Sequence, residues 1–272
     1  DCDSLTTMPE LPSTILTNSC YSNMFYWCTG LSTATKLPAT TLNSNCYANM
    51  FYWCTGLTAV SELPSTTLSS GCYYQMFCWC SWLITLPVNL LPATTLDENC
   101  YKSMFSRCTN LTNAPKLPAT TLKASCYASM FEYCTSLRSA NEIAAETLAN
   151  YGCQYMFFNC TNLTTAPALP ATTLANYCYR YMFQWCSNLT TLPKLPATTL
   201  KMYCYGNMFQ SCSNIKLSTT QTWEYQTPYR IPTSWSGTLA SNALTGMFAR
   251  TWWTFVWNPS LNATYYTSNQ VV

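Results

Sequence analysis

The sequence predicts a repeat solenoid, with a parallel β-sheet along one face, short helical or 3₁₀ segments on the other, and a β-rich cap at its C-terminal end. Three observations lead there. Met-Phe recurs at Met24, Met50, Met76, Met104, Met130, Met156, Met182 and Met208, a step of 26 residues interrupted once by a step of 28. Each copy carries the same sentence, C-Y-x-x-M-F-x-x-C-[TS]-x-L followed by a proline-rich piece ending in L-P-A-T-T-L, as in Cys178 to Leu200. A fixed period of this length marks a unit that cannot bury its apolar face alone and stacks on its neighbours.

The chain opens at Cys2-Asp-Ser-Leu-Thr-Thr-Met-Pro, which matches the second half of a repeat. It therefore starts in mid-repeat with no polar cap, and an uncapped solenoid end exposes core and strand edge. Within each repeat the strand is expected at L-x-x-x-P-x-L, for example Leu111 to Leu117, because proline is tolerated at strand ends and edges. Thr-Thr-Leu then starts a helical segment, with Thr as its cap. Leu122, Cys126, Met130 and Phe131 fall on one face of it at helical spacing. Stacking places like residues in columns, Leu31 to Leu189 and Phe25 to Phe209, each large buried side chain contributing about 1.5–3 kcal/mol.

The third unit has two extra residues around Pro87 to Leu90, read as a bulge or loop, and a degenerate ninth copy sits at Met247-Phe248. From Thr222 the sequence is new and rich in Trp and Tyr, and Thr251-Trp-Trp-Thr-Phe-Val-Trp257 reads as a strand. We divide the chain into residues 1–217, a solenoid of about eight 26-residue repeats, and residues 218–272, an aromatic-rich cap or docking region.

Composition narrows the function. Of the 272 residues only 8% are charged and the formal net charge is +2, against roughly 25% charged in an average soluble protein. Binding to nucleic acid or to an anionic membrane calls for clustered Lys and Arg, and neither is expected. A surface so poor in charge has little self-repulsion and tends to associate. There is no histidine, so Ser-His, Cys-His and His-metal chemistry is excluded. Asp97/Glu98 and Glu142/Glu146 are the only close carboxylate pairs, and we read both as solvated surface, not as the facing acids of a glycosidase. No cofactor is expected, and no stretch of 18 apolar residues is present to span a membrane.

The motif M-F-x-x-C-[TS]-x-L followed by L-P, repeated eight times over residues 2 to 217, resembles the leucine-rich repeats of BspA-like and DUF285-like bacterial surface proteins. The resemblance implies a right-handed leucine-rich-repeat array on a secreted or surface protein, often adhesive and not enzymatic. The additional cysteine of each unit, where that family commonly has Ile, and the aromatic C-terminal region depart from the pattern.

Eighteen cysteines point to an exported protein with its signal peptide removed. Sixteen of them form couples: Cys20/Cys28, Cys46/Cys54, Cys72/Cys80, Cys100/Cys108, Cys126/Cys134, Cys153/Cys160, Cys178/Cys186 and Cys204/Cys212. The ninth copy has lost both members together, which favours a bond inside each repeat. Eight residues of ideal helix span about 12 Å, beyond disulfide reach, so that pairing requires the helix to end near Phe. Bonds between successive repeats, and a column of buried free thiols, stay open beside it. Cys2 and Cys78 are left over, each free to bond another chain.

Asn110, Asn159, Asn162, Asn188 and Asn262 stand in N-x-T sequons, four of them by-products of the repeat. The tyrosines after the first cysteine and Trp27, Trp53 and Trp79 before the second form rows that either cover the core or face a sugar or a neighbouring subunit. Two functions of different class follow. One is a subunit of an extracellular head-to-tail filament, a homopolymer whose naked first repeat is covered by the next copy. Its candidate interface is Cys2, Leu5, Leu11, Trp252, Trp253, Phe255, Trp257, Tyr265 and Tyr266. The other is a surface adhesin whose partners are glycans or host-surface proteins.

Overall fold

The computed structural model describes residues 2–190, 192–215 and 238–251. These residues form a ladder of rungs, one per repeat, and the ladder is densest where the helix was expected. In the second rung the N–H groups of Asn45, Tyr47, Asn49, Phe51 and Trp53 donate to the carbonyls of Ser70, Cys72, Tyr74, Met76 and Cys78, one repeat further on, at 2.8–3.0 Å. The N–H groups between them, those of Cys46, Ala48, Met50, Tyr52 and Cys54, close turns onto the carbonyl three residues back, at 3.1–3.3 Å. Every second peptide therefore bonds along the stack and every other one bonds within its own rung.

This alternation excludes the helical or 3₁₀ segments expected from the sequence, and none occurs among the described residues. The reason is a left-handed residue at every fourth position. In the first rung these are Ser19, Asn23 and Trp27, at φ 55°, 58° and 65°, and three such residues recur in each rung. Left-handed backbone suits Gly, Asn and Ser better than bulkier residues. The first two positions are filled by Asn45/Asn49, Gly71/Gln75, Asn99/Ser103 and Ser125/Ser129 in the second to fifth rungs, whereas the sixth to eighth carry Tyr151/Tyr155, Tyr177/Tyr181 and Tyr203/Asn207 there. Leu42, Cys46, Met50 and Cys54 point inward at intervals of four. An α-helix would rotate that row by about 40° at each step, whereas the turn ribbon keeps it straight.

The other half of each rung carries the prolines, which lack a ladder donor. The expected continuous parallel sheet is reduced here to fragments. Strands β1 (Thr33–Ala34) and β2 (Ala59–Val60) pair in parallel, Thr33 opposite Ala59, as do β3 (Thr199–Leu200) and β4 (Thr238–Leu239). Isolated parallel bridges such as Leu117 to Ile143 and Thr121 to Thr147 to Thr173 continue them. The two extra residues of the third unit are taken up in a turn closed by Leu90 N–H on the Pro87 carbonyl.

Between the two halves lies one continuous core of columns. The Phe rings from Phe25 to Phe209 and on to Phe248 stack at 5.4–5.6 Å, with the Leu column from Leu31 to Leu189 fully buried beside them. The ninth copy joins in register. Tyr205, Asn207, Phe209 and Ser211 donate to Ala243, Thr245, Met247 and Ala249, so residues 240–251 add a ninth rung even though 39 residues separate Met208 from Met247.

Candidate functional site

The cysteines lie in columns that run along the stack. All eighteen are free thiols, and all but Cys2 and Cys20 are buried. The second cysteine of a rung donates its S–H to the Phe carbonyl of the rung before it. Cys54 donates to Phe25, Cys80 to Phe51, Cys108 to Phe77, Cys134 to Phe105, Cys160 to Phe131, Cys186 to Phe157 and Cys212 to Phe183, at 2.9–3.2 Å. Burial pushes the Cys46 and Cys54 thiols up to about 12, and Cys80, Cys108 and Cys134 well above the usual range.

These contacts give no support to the expected bonds within repeats, because each second cysteine is held by the neighbouring rung. The Cys153/Cys160 couple fails for a further reason. Tyr127 N–H donates to Gly152, where other rungs have a cysteine, and Cys153 N–H donates to Cys178. Gly152 thus stands in the first cysteine column and Cys153 in the tyrosine column. Cys78, expected to be available to another chain, is buried in the row that begins with Tyr26 and Tyr52.

The tyrosine column is core. Tyr47, Tyr73, Tyr101, Tyr127 and Tyr179 are at most 1% exposed, and their hydroxyls meet no hydrogen-bond partner. The tryptophan row is on the surface. Trp27 and Trp53 stack at 5.0 Å, and Trp53 and Trp79 at 4.5 Å. The Arg107 guanidinium then lies between Trp79 and Tyr133, 4.6 Å and 4.2 Å from their ring centres. Ring faces along this row are occupied by neighbours, so sideways it shows solvent only edges. Trp27, the first ring, is 50% exposed and presents a face along the stack.

That face belongs to the first described rung, which is more exposed than the rungs after it. Met24 is 42% exposed, while Met50, Met76 and Met104 are wholly buried. Cys20 is exposed, while Cys46 and Cys72 are buried. In later rungs the carbonyls of Cys46, Ala48, Met50 and Tyr52 each accept an N–H from the rung before; their counterparts in the first rung, Cys20, Ser22, Met24 and Tyr26, accept none among the described residues. Beside them Cys2, Asp3, Tyr26 and Trp27 line a cleft of about 410 Å³, with Thr29 Oγ1 donating to Asp3 Oδ1 at 3.0 Å.

Of the interface residues expected from the sequence, Cys2 is exposed at this end. Leu11 belongs to the core and Leu5 packs against it. Trp252, Trp253, Phe255, Trp257, Tyr265 and Tyr266 lie outside the described residues, as does most of region 218–272. The residues that sequence reasoning missed are Cys20, Met24 and Tyr26. Their signal was available: they are the first members of columns whose later members are core. Asp97, Glu98, Glu142 and Glu146 are all exposed. Among the described residues no group of three or more Cys, Asp or Glu is placed to hold a metal, and no helix is long and apolar enough to cross a membrane.

Comparison with protein-family models and with curated proteins finds no match. Among solved structures the chain is similar to a leucine-rich cell surface protein from Faecalibacterium prausnitzii A2-165, at 18% identity and a TM-score of 0.47, over 78% of this chain and 62% of that one. It is also similar to a leucine-rich repeat protein from Bacteroides ovatus ATCC 8483, at 15% identity and a TM-score of 0.32, over 79% and 72%. These structural neighbours are bacterial leucine-rich repeat proteins, of the kind that the repeat motif resembles. The chain spans less than two thirds of the length of the first. The stacking described above rests on this chain's own hydrogen bonds.

Proposed function

We propose that this is a non-enzymatic extracellular structural protein, a subunit that adds head to tail into a filament or fibre at a cell surface. The observation that supports the reading most directly is the first rung. Four backbone carbonyls with no donor among the described residues, beside half-exposed Met24, Tyr26 and Trp27, form an edge that one more rung would complete. Two such edges cannot complete each other, since both offer only acceptors. Self-association at this edge is therefore heterologous, and heterologous contacts that do not close make fibres. The low charge removes the repulsion that would oppose it.

Electron microscopy and sedimentation of the purified chain over a range of concentrations test the reading. The expected result is fibres with an axial repeat of about 43 Å, nine rungs at roughly 4.8 Å each. A species that stays monomeric at millimolar concentration overturns it, and so does a closed, symmetric dimer.

A surface adhesin is the second reading, and Trp185 favours it. This ring is 44% exposed and has Phe158 on one side at 5.4 Å, while the next rung offers only Ser211 at the corresponding position. An open indole face of this kind stacks on sugars or aromatic side chains. Glycan-array binding that is lost in Trp185→Ala, with assembly unchanged, supports this alternative.

A further inference from the structure

Between the seventh and eighth rungs the outer face of the turn ribbon drops by a step. Tyr181 and Trp185 donate their N–H groups to Gly206 and Gln210, which sets the register: Arg180, Tyr181 and Trp185 are followed in their columns by Gly206, Asn207 and Ser211. We propose that this step binds an acidic oligosaccharide, one sugar ring lying on the open indole face of Trp185 and a sugar carboxylate on the Arg180 guanidinium. The inference rests on the adhesin reading above and names its ligand.

The wall of the step is one continuous surface. Ring centres run from Trp185 to Phe158 at 5.4 Å, on to Tyr155 at 5.4 Å and then to Tyr181 at 4.7 Å. The Arg180 guanidinium lies 4.5 Å from the Tyr181 ring centre and 4.9 Å from that of Tyr203, and Gly206, next in its column, has no side chain to fill the space in front of it.

A guanidinium has five N–H donors to place. One, on Nη2, goes to Tyr181 Oη at 2.9 Å, while Nε is buried with no partner. No carboxylate pairs with Arg180 among the described residues. A half-buried cation without a counterion, in a chain with so few charges, is a receptor for an anion, and its planar fork fits a carboxylate. The backbone points the same way. Tyr177, Tyr181 and Trp185 occupy all three left-handed positions of this rung, at φ 60°, 60° and 65°, where side chains of this size are disfavoured, and such strain collects at ligand sites. Asn207 and Ser211, on the floor of the step, offer an amide and a hydroxyl to sugar hydroxyls, which favours a saccharide over an acidic peptide.

The test is calorimetric titration of the full chain with sialyllactose, trigalacturonate, lactose and hexaglutamate. The first two carry the carboxylate on different sugars, lactose lacks it, and hexaglutamate carries it without a sugar. At least one acidic sugar is expected to bind about tenfold more tightly than lactose, and Arg180→Gln to remove that margin; the sugar that binds identifies the source. Ser211→Trp should cover the indole face and abolish binding without lowering the melting temperature, since Trp53 and Trp79 stack in the same column. Exposed Arg138, changed to Gln, should leave binding as it was. Acidic sugars that bind no better than lactose, or that keep their margin in Arg180→Gln, overturn the inference, and lactose binding lost in Trp185→Ala would leave the adhesin reading standing. Binding of hexaglutamate alone overturns the saccharide in favour of an acidic protein partner. Binding that survives Ser211→Trp overturns the site. If none of the four binds and a glycan array is also blank, the adhesin reading falls with it.

Discussion

Replacing Tyr73 by Phe is expected to stabilise the protein. The Tyr73 ring is wholly buried and stacks at 5.8 Å on both Tyr47 and Tyr101. The change keeps the ring, its stacking and its volume but removes a hydroxyl that meets no acceptor or donor. An unsatisfied buried polar group costs about 1–3 kcal/mol, so Phe should gain up to that amount, or roughly 2–4 °C in Tm per kcal/mol for a chain of this size. The assay is urea unfolding followed by intrinsic fluorescence, with Tyr47→Phe and Tyr101→Phe measured alongside and then combined with Tyr73→Phe. The gains should accumulate, each position contributing with the same sign. A loss of 1 kcal/mol or more on Tyr73→Phe would refute the reasoning, because the hydroxyl would then have a partner in solution that it lacks in the structure.

Thiol titration should find Cys2 and Cys20 reactive in the native protein and all eighteen cysteines reactive after unfolding without reductant; a count near two in both states would restore disulfides within repeats. Stability should fall steeply in alkali. Burial raises the Cys46, Cys54 and Cys126 thiols from about 9.0 to about 12, so their contribution is fully present below pH 9 and is lost as pH rises toward 12. Each such group adds about 1.4 kcal/mol per pH unit, and urea midpoints that stay flat from pH 8 to 11 would contradict this. At Ser129, held at φ 55°, Gly should be neutral or stabilising and Ile should cost about 1–2 kcal/mol, measured by the same unfolding assay. Cys134→Ala should destabilise by about 1–2 kcal/mol, through loss of the S–H bond to Phe105 and of buried volume, and equal stability would show that the thiol does no more than fill space.

The sequence makes the stacking legible because identical units place identical side chains in columns, and Phe25 to Phe209 and Leu31 to Leu189 are where that period puts them. The local conformation was harder to read. Leu122, Cys126 and Met130 at intervals of four fit a helix over so short a span, and only the Asn, Ser and Gly residues at the same interval, such as Asn45, Asn49 and Gly71, distinguish a turn ribbon from it. The cysteines misled for a different reason. Their joint loss in the ninth copy suggested partnership, but Cys54 and its equivalents answer to a carbonyl in the preceding rung, an offset that spacing within one repeat does not reveal. Thr251, which replaces such a cysteine, donates its hydroxyl instead to the Phe248 carbonyl of its own rung, at 2.6 Å. The half repeat at Cys2 was legible in the sequence, while the exposed residues of the first rung became identifiable only once Met24 could be set against Met50.

The one-way ladder of the turn ribbon has an electrical consequence. Peptide groups such as Cys20–Tyr21 and Cys46–Tyr47 direct carbonyls toward the first rung and N–H groups toward the last, and they do so in every rung. In most sheets strand dipoles alternate and cancel, but here they add along the axis, as in an α-helix. The described stack is polarised along its axis, with its negative pole at the carbonyls of Cys20, Ser22, Met24 and Tyr26, which accept no N–H among the described residues, and a cation approaching that pole is drawn in before it touches a side chain.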